Sequence, residues 1–203
     1  MANDLNKSAL RVGKIRLDIE NLYHYANFTE KSLKAEMKEI ETFVQTHGRQ
    51  PSIDEEWWNV SEVFPHLHRS AILLSIFAFF EHNLNVVCDS LAQEHGKRLR
   101  VIDLSGRGLQ RAKTYMSKEI GLSFPSTTES WQELAQLHAL RNVIAHRDGM
   151  LKTDDEPLKE YIAKSRYISV DLEGRVRLHE GILTHLLDHL ELFFKDLGAA
   201  ICE

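Results

Sequence analysis

WQELAQLHALRNVIAHRDG, residues 131–149, is the stretch from which the fold of this chain is read. Trp131, Leu134, Leu137, Leu140 and Ile144 recur at three- and four-residue steps, which makes the apolar stripe of an amphipathic helix. Ser126, Thr127 and Thr128 offer N-cap hydroxyls before it. Glu129 and Glu133 place negative charge in its early turns, and Gly149 supplies a stop. Arg141, Asn142 and His146 lie beside the stripe near the helix end. A cation, an amide and an imidazole gather there, where a helix is expected to bury itself.

Upstream, Ala71–Phe80 is apolar on nearly every face and is too short to span a bilayer, so it marks a buried core helix. That helix is expected to start around Pro65, which suits a first turn, and to run to about His95. Glu81, His82, Asn83 and Asn85 follow the apolar run. Glu81 and Asn85 are one turn apart and share a face, so they either bridge to a neighbouring helix or line a cleft. Residues 4–47 read as helix ended by Gly48, with Thr29 available to cap a second helix. The lysines and glutamates from Glu30 to Glu41 read as a solvated face. Residues 48–64 read as a loop and a short helix. Trp57 and Trp58 within it could stack on a base, but no basic residue lies near them in sequence to hold a phosphate, so packing is the preferred reading.

Downstream, Asp154-Asp155-Glu156-Pro157 signals a helix running to about Lys164. Tyr167–Asp171 and Arg175–His179 alternate around Leu172-Glu173-Gly174, which is a β-hairpin signal. Glu180 to about Ala200 forms a closing amphipathic helix. The fold class expected is all-α: a helical bundle of about five to seven helices with one small β-hairpin near 167–179. The organisation expected is a single domain over 1–203 with a long N-terminal helical extension, 1–48.

A chain of 203 residues with 43% hydrophobic and 27% charged residues has the composition of a soluble globular protein. Its net charge of −5 argues against nucleic-acid binding over the whole surface. One segment departs from that balance. Lys97, Arg98, Arg100, Arg107, Arg111, Lys113 and Lys118 stand against Asp103 alone, a local charge of +6. It reads either as a phosphate-backbone contact or as a solvated face that complements the acidic 154–160 segment. Cys88 and Cys202 do not make a disulfide framework, and the N-terminus lacks the apolar region of a secretory signal. A cytoplasmic location without membrane association is expected.

Several chemistries fall away. Gly106-Arg107-Gly108 is too short for a dinucleotide or phosphate loop, and no serine sits in a nucleophile elbow. His185 and His189 are spaced to share a metal, but they lie on the margin of an apolar face and no third ligand is identifiable. No metal or other cofactor is therefore expected. In Arg141–His146, by contrast, Asn142 and His146 stand one above the other on the helix, with Arg141 adjacent. An imidazole can move protons, and a guanidinium matches a phosphate. Together they supply a base for a ribose 2′-OH and a cation for a phosphorane. A symmetric dimer would bring the second histidine. The competing reading is a capped helix end, with Arg141 paired to Glu81 or another carboxylate and His146 bonded to a carbonyl.

Arg-Asn-Val-Ile-Ala-His-Arg-Asp-Gly, residues 141–149, resembles the signature of the HEPN superfamily, in which an Arg and a polar residue precede a His at a helix end. The stretch FAFFEHNLN, residues 77–85, is similar to the second core helix of many HEPN proteins. The resemblance extends over roughly residues 65–200 as architecture, with the six-residue motif its specific part. It implies a dimer of helical bundles whose motifs face one another, acting as a metal-independent endoribonuclease that leaves a 2′,3′-cyclic phosphate. It also implies a toxin or phage-defence effector, with an antitoxin or regulatory protein as a further partner. Some members keep the fold as a non-catalytic module that binds nucleotide, nucleic acid or protein. Carried over, Arg141, Asn142 and His146 form the catalytic set, with Glu81 as a fourth candidate. Lys97, Arg98, Arg100, Arg107, Arg111 and Lys113 are the candidate RNA contacts. In members silenced by nucleotidylation a Tyr follows two residues after the His, and here that position is Asp148.

Overall fold

The computed structural model describes residues 7–48 and 50–202, without the side chain at 52. Helix α1 spans Lys7–His47, α2 Pro51–Trp58, α3 Phe64–Glu94, α4 Gly108–Thr114, α5 Glu129–Arg147, α6 Glu156–Lys164 and α7 Ile182–Cys202. Strands β1, Ile168–Val170, and β2, Val176–Leu178, pair antiparallel, with Ser169 opposite Arg177. The fold is an all-α bundle with one small hairpin. The helix start expected at residue 4 lies outside the described residues.

Two local expectations are corrected. Helix α1 is not divided near residue 29, because Thr29 Oγ1 donates to the carbonyls of Tyr25 and Ala26 at 3.0 and 2.9 Å. A hydroxyl bonded backwards in this way sits inside a helix and caps nothing. Likewise, no loop separates residues 51–63 from α3. Helix α2 begins on Pro51 at its first position and continues through a π-helical turn, Asn59–Val63, into α3. The reason is Pro65. It has no N–H to return to Ser61, and its ring would crowd that carbonyl. The wider turn, in which Phe64 N–H bonds the Asn59 carbonyl, absorbs the mismatch without ending the helix.

Other local signals are met as expected. Thr128 is the hydroxyl that caps α5, its Oγ1 accepting from Trp131 N–H at 3.3 Å. In the hairpin turn, Asp171 Oδ1 accepts from the backbone of Glu173 and Arg175 at 3.0 and 2.9 Å. Those bonds lower the Asp171 carboxyl below the usual carboxylate range, the Arg175 amide contributing most.

The described residues group into two compact units. The first takes residues up to 21, 76–135 and from 187 onward, and the second takes 22–75 and 136–186. The first is organised on aromatic packing: Phe80, Phe193 and Phe194 are fully buried, with Phe124 and Trp131 against Phe193. The second buries Leu137, Leu140 and Val143 of α5 together with Leu158, Ile162, Ile168, Val176 and Leu178. Ile53–Glu94 is the one helical run among the described residues long and apolar enough to cross a membrane by length and composition. Its Leu73, Ile76, Phe77, Phe80 and Leu84 are nonetheless buried within the protein.

The two cysteines differ in a measurable way. Burial, followed by the charge of Asp89, pushes the Cys88 thiol up to about 12, whereas Cys202 is exposed. Thiolate is the reactive form. A thiol reagent at neutral pH should therefore label Cys202 in the native protein and Cys88 only after denaturation. Two fast equivalents without denaturant would contradict this burial.

Candidate functional site

The second unit holds the Arg141–His146 motif on α5. Leu137, Leu140 and Val143 are 0, 0 and 2% exposed and fix the rotation of the helix. That rotation leaves Arg141 and Asn142 half-buried and His146 exposed. Arg141 Nη1 donates to Asn142 Oδ1 at 3.0 Å, and its Nε is buried without a hydrogen-bond partner. Among the described residues Arg141 pairs with no carboxylate, and His146 makes neither a hydrogen bond nor an ion pair. His138 lies one turn before Asn142 on the same side of the helix and is half-buried. Sequence reasoning passed over it, although its four-residue spacing from Asn142 was legible.

The helix end carrying His146 is anchored on both sides. Asp148 and Gly149 both turn left-handed, at φ 51° and 77°. Gly149 N–H reaches the Val143 carbonyl at 3.2 Å, closing the last turn. Arg147 grips Asp155 through two bonds, 2.8 and 3.2 Å, and Asp155 also accepts Lys152 N–H at 2.7 Å. The Arg147 bond is the main reason the Asp155 carboxyl lies below its ordinary range. Asp148 forms an ion pair with Arg175. The hairpin adds backbone bonds, Val176 N–H to the Gly149 carbonyl at 2.9 Å and Leu151 N–H to the Gly174 carbonyl at 3.1 Å.

Gly149 is needed at this junction. A Cβ there would lie 3.5 Å from Val176 N, in a backbone conformation that other residues adopt at a cost. Gly149→Ala should lower stability by about 1–2 kcal/mol. Calorimetry should show that as a fall in Tm of about 3–6 °C.

Beside this junction, still within the second unit, Trp58, His66, Arg69, Ser169, Arg177 and His179 line a cavity of about 780 Å³. Arg69 is held by Glu30 at 2.7 and 2.8 Å and by the Leu178 carbonyl at 3.1 Å. Arg177 Nε donates to Asp171 Oδ2 at 2.9 Å, and Ser169 Oγ lies 2.7 Å from His179 Nε2. Burial, then the charge of Arg177, lowers the His66 imidazole, while Asp148 and Asp171 act in the opposite sense. For Trp58, the absence of a nearby cation holds along the chain and not in space, because the fold sets Arg69 and Arg177 around the same cavity.

The remaining candidates, His185 apart, belong to the first unit. Glu81 faces the start of α4, its Oε1 3.4 Å from where a Cβ on Gly108 would stand. Lys97, Arg98, Arg100 and Arg107 are exposed, whereas Arg111 and Lys113 are half-buried. Arg100 pairs with Asp89 at 3.0 Å, and Lys113 Nζ lies 5.8 Å from the centre of the Trp131 ring. Lys97, Arg98 and Arg107 pair with no carboxylate among the described residues. His185 and His189 are one turn apart on α7, and Glu133 offers a carboxylate oxygen within 4.8 Å of a His189 ring nitrogen. In the sequence alone Glu133 is only a charge near the start of α5.

Comparison with protein-family models, with curated proteins and with solved structures returns no match for this chain.

Proposed function

We propose that the chain is a HEPN-type, metal-independent endoribonuclease that works as a homodimer. The observation that carries the reading is the state of the two motif side chains. The Arg141 guanidinium is neutralised by no carboxylate among the described residues, and His146 stands exposed and unbonded on an anchored helix end. In the competing reading Arg141 would pair with a carboxylate and His146 would bond a carbonyl, and neither contact occurs among the described residues.

In this reaction His146 removes the proton of a ribose 2′-OH, and the oxygen attacks the adjacent phosphorus. An O2′–P bond forms and the P–O5′ bond breaks, leaving a 2′,3′-cyclic phosphate. Arg141 stabilises the charge that builds on the phosphorane oxygens. The histidine of a second copy supplies the proton to the departing 5′-oxygen, which is why two motifs are needed. Asn142 holds Arg141 in place through its amide oxygen. Glu81 remains the fourth candidate of the catalytic set and the exposed cations Lys97, Arg98 and Arg107 are candidate RNA contacts, in an enzyme that works in the cytoplasm without a membrane. A toxin or defence role, opposed by an antitoxin, accords with that activity.

The test is incubation with mixed RNA in EDTA, wild type against His146→Ala. Cleavage by the wild type alone supports the enzyme. RNA that is bound but left intact by both proteins would instead make the chain a non-catalytic binding module.

A further inference from the structure

The cavity beside the motif asks for a ligand with two different ends. Trp58 lines it and is 57% exposed, so part of its indole is open to a ligand. A partly exposed aromatic beside such a cavity suits a planar ring, because stacking covers apolar area on both partners. The other end is defined by the arginines. Arg69 is neutralised by Glu30 and has its third nitrogen, Nη1, on a backbone carbonyl, so it shapes the wall. Arg177 is also ion-paired, its Nε to Asp171 Oδ2 at 2.9 Å, but its two terminal amines have no partner among the described residues. That leaves a guanidinium edge open for one anionic group.

The imidazoles of His66 and His179 and the Ser169 hydroxyl supply hydrogen-bonding groups on the same wall. A volume of about 780 Å³ lies within the range of small-molecule sites. The cavity also has a fixed relation to the motif. Arg177 follows Val176, whose N–H bonds the Gly149 carbonyl three residues beyond His146. The Asp148 charge acts on the His66 ring.

We infer that this cavity binds one nucleotide of single-stranded RNA, its base stacked on Trp58 and its phosphate held by the terminal amines of Arg177. The inference rests on the ribonuclease reading and names the part of the substrate next to the cleaved bond. It selects unpaired RNA, since a base inside a duplex has no free face to give to Trp58.

The test uses UMP and AMP as probes, with binding read by calorimetry. Trp58→Ala and Arg177→Gln should each weaken binding about tenfold, the scale of one stacked base or one charged contact. Trp58→Phe, which keeps an aromatic face, should stay near wild type. His146→Ala should bind as the wild type does, so loss of cleavage and loss of this site remain separate results. On RNA, Trp58→Ala should raise KM with kcat largely kept. Nucleotide affinity unchanged in both Trp58→Ala and Arg177→Gln would overturn the site. So would inorganic phosphate binding as tightly as UMP, since stacking would then contribute nothing.

Discussion

His146→Ala should slow RNA cleavage by about a thousandfold or more, because proton transfer by a positioned side chain contributes about 10²–10⁴. Arg141→Ala should cost about a hundredfold or more, as removal of one donor to the developing charge does elsewhere. Neither change should unfold the protein. His146 is exposed and bonded to nothing among the described residues, so its loss should move stability by no more than about 0.5 kcal/mol. Arg141 is half-buried and leaves only its bond to Asn142 behind. The measurement is single-turnover cleavage in EDTA, with thermal unfolding of the same samples. Equal rates for wild type and both variants would remove the mechanism, whereas lost activity with a collapsed Tm would say nothing in its favour.

Phe193→Ala should be the most destabilising single change named here, at about 3–5 kcal/mol. Phe193 is 0% exposed. Its ring lies 5.3 Å from Phe80, 5.5 Å from Phe194, 5.7 Å from Phe124 and 5.4 Å from Trp131. Removing it leaves a void bordered by four rigid rings, which cannot close by small rotamer changes. A loss of that size lowers Tm by about 8–15 °C for a chain of this length. Differential scanning calorimetry checks the figure, and the Trp131 emission should shift because its neighbour is gone. A loss below about 1 kcal/mol would mean the cluster relaxes far more easily than its geometry implies.

What could be read from sequence was what depends on neighbours along the chain. Helical periodicity located α5, the Thr128 hydroxyl located its start, and the alternation around Leu172-Glu173-Gly174 located the hairpin. The core stripe of α5 was nearly right: Leu137 and Leu140 are buried as expected, but Val143 is the buried residue of the last turn and Ile144 only half so. The buried residues step by three from Trp131 to Val143, so a final step of four to Ile144 overshoots by one. Pro65 misled because a π turn lets a helix pass a proline that usually marks a beginning. The cavity was out of reach altogether. Trp58, Arg69 and Arg177 are separated by up to about 120 positions, and no spacing rule connects them. Glu133 and His189 are hidden in the same way, since two helices have to be packed before the pair exists.

The double anchoring of the residue 147–149 junction has an entropic consequence for the proposed reaction. A frayed helix end would have to be ordered each time substrate arrived, at about 1–2 kcal/mol for every backbone residue fixed. Here the left-handed Asp148–Gly149 pair, the Arg147 grip on Asp155 and the hairpin bonds complete that ordering when the chain folds. In the proposed reaction His146 would therefore meet RNA from a backbone already at rest. Only the rotation of its own imidazole remains to be restricted in the transition state.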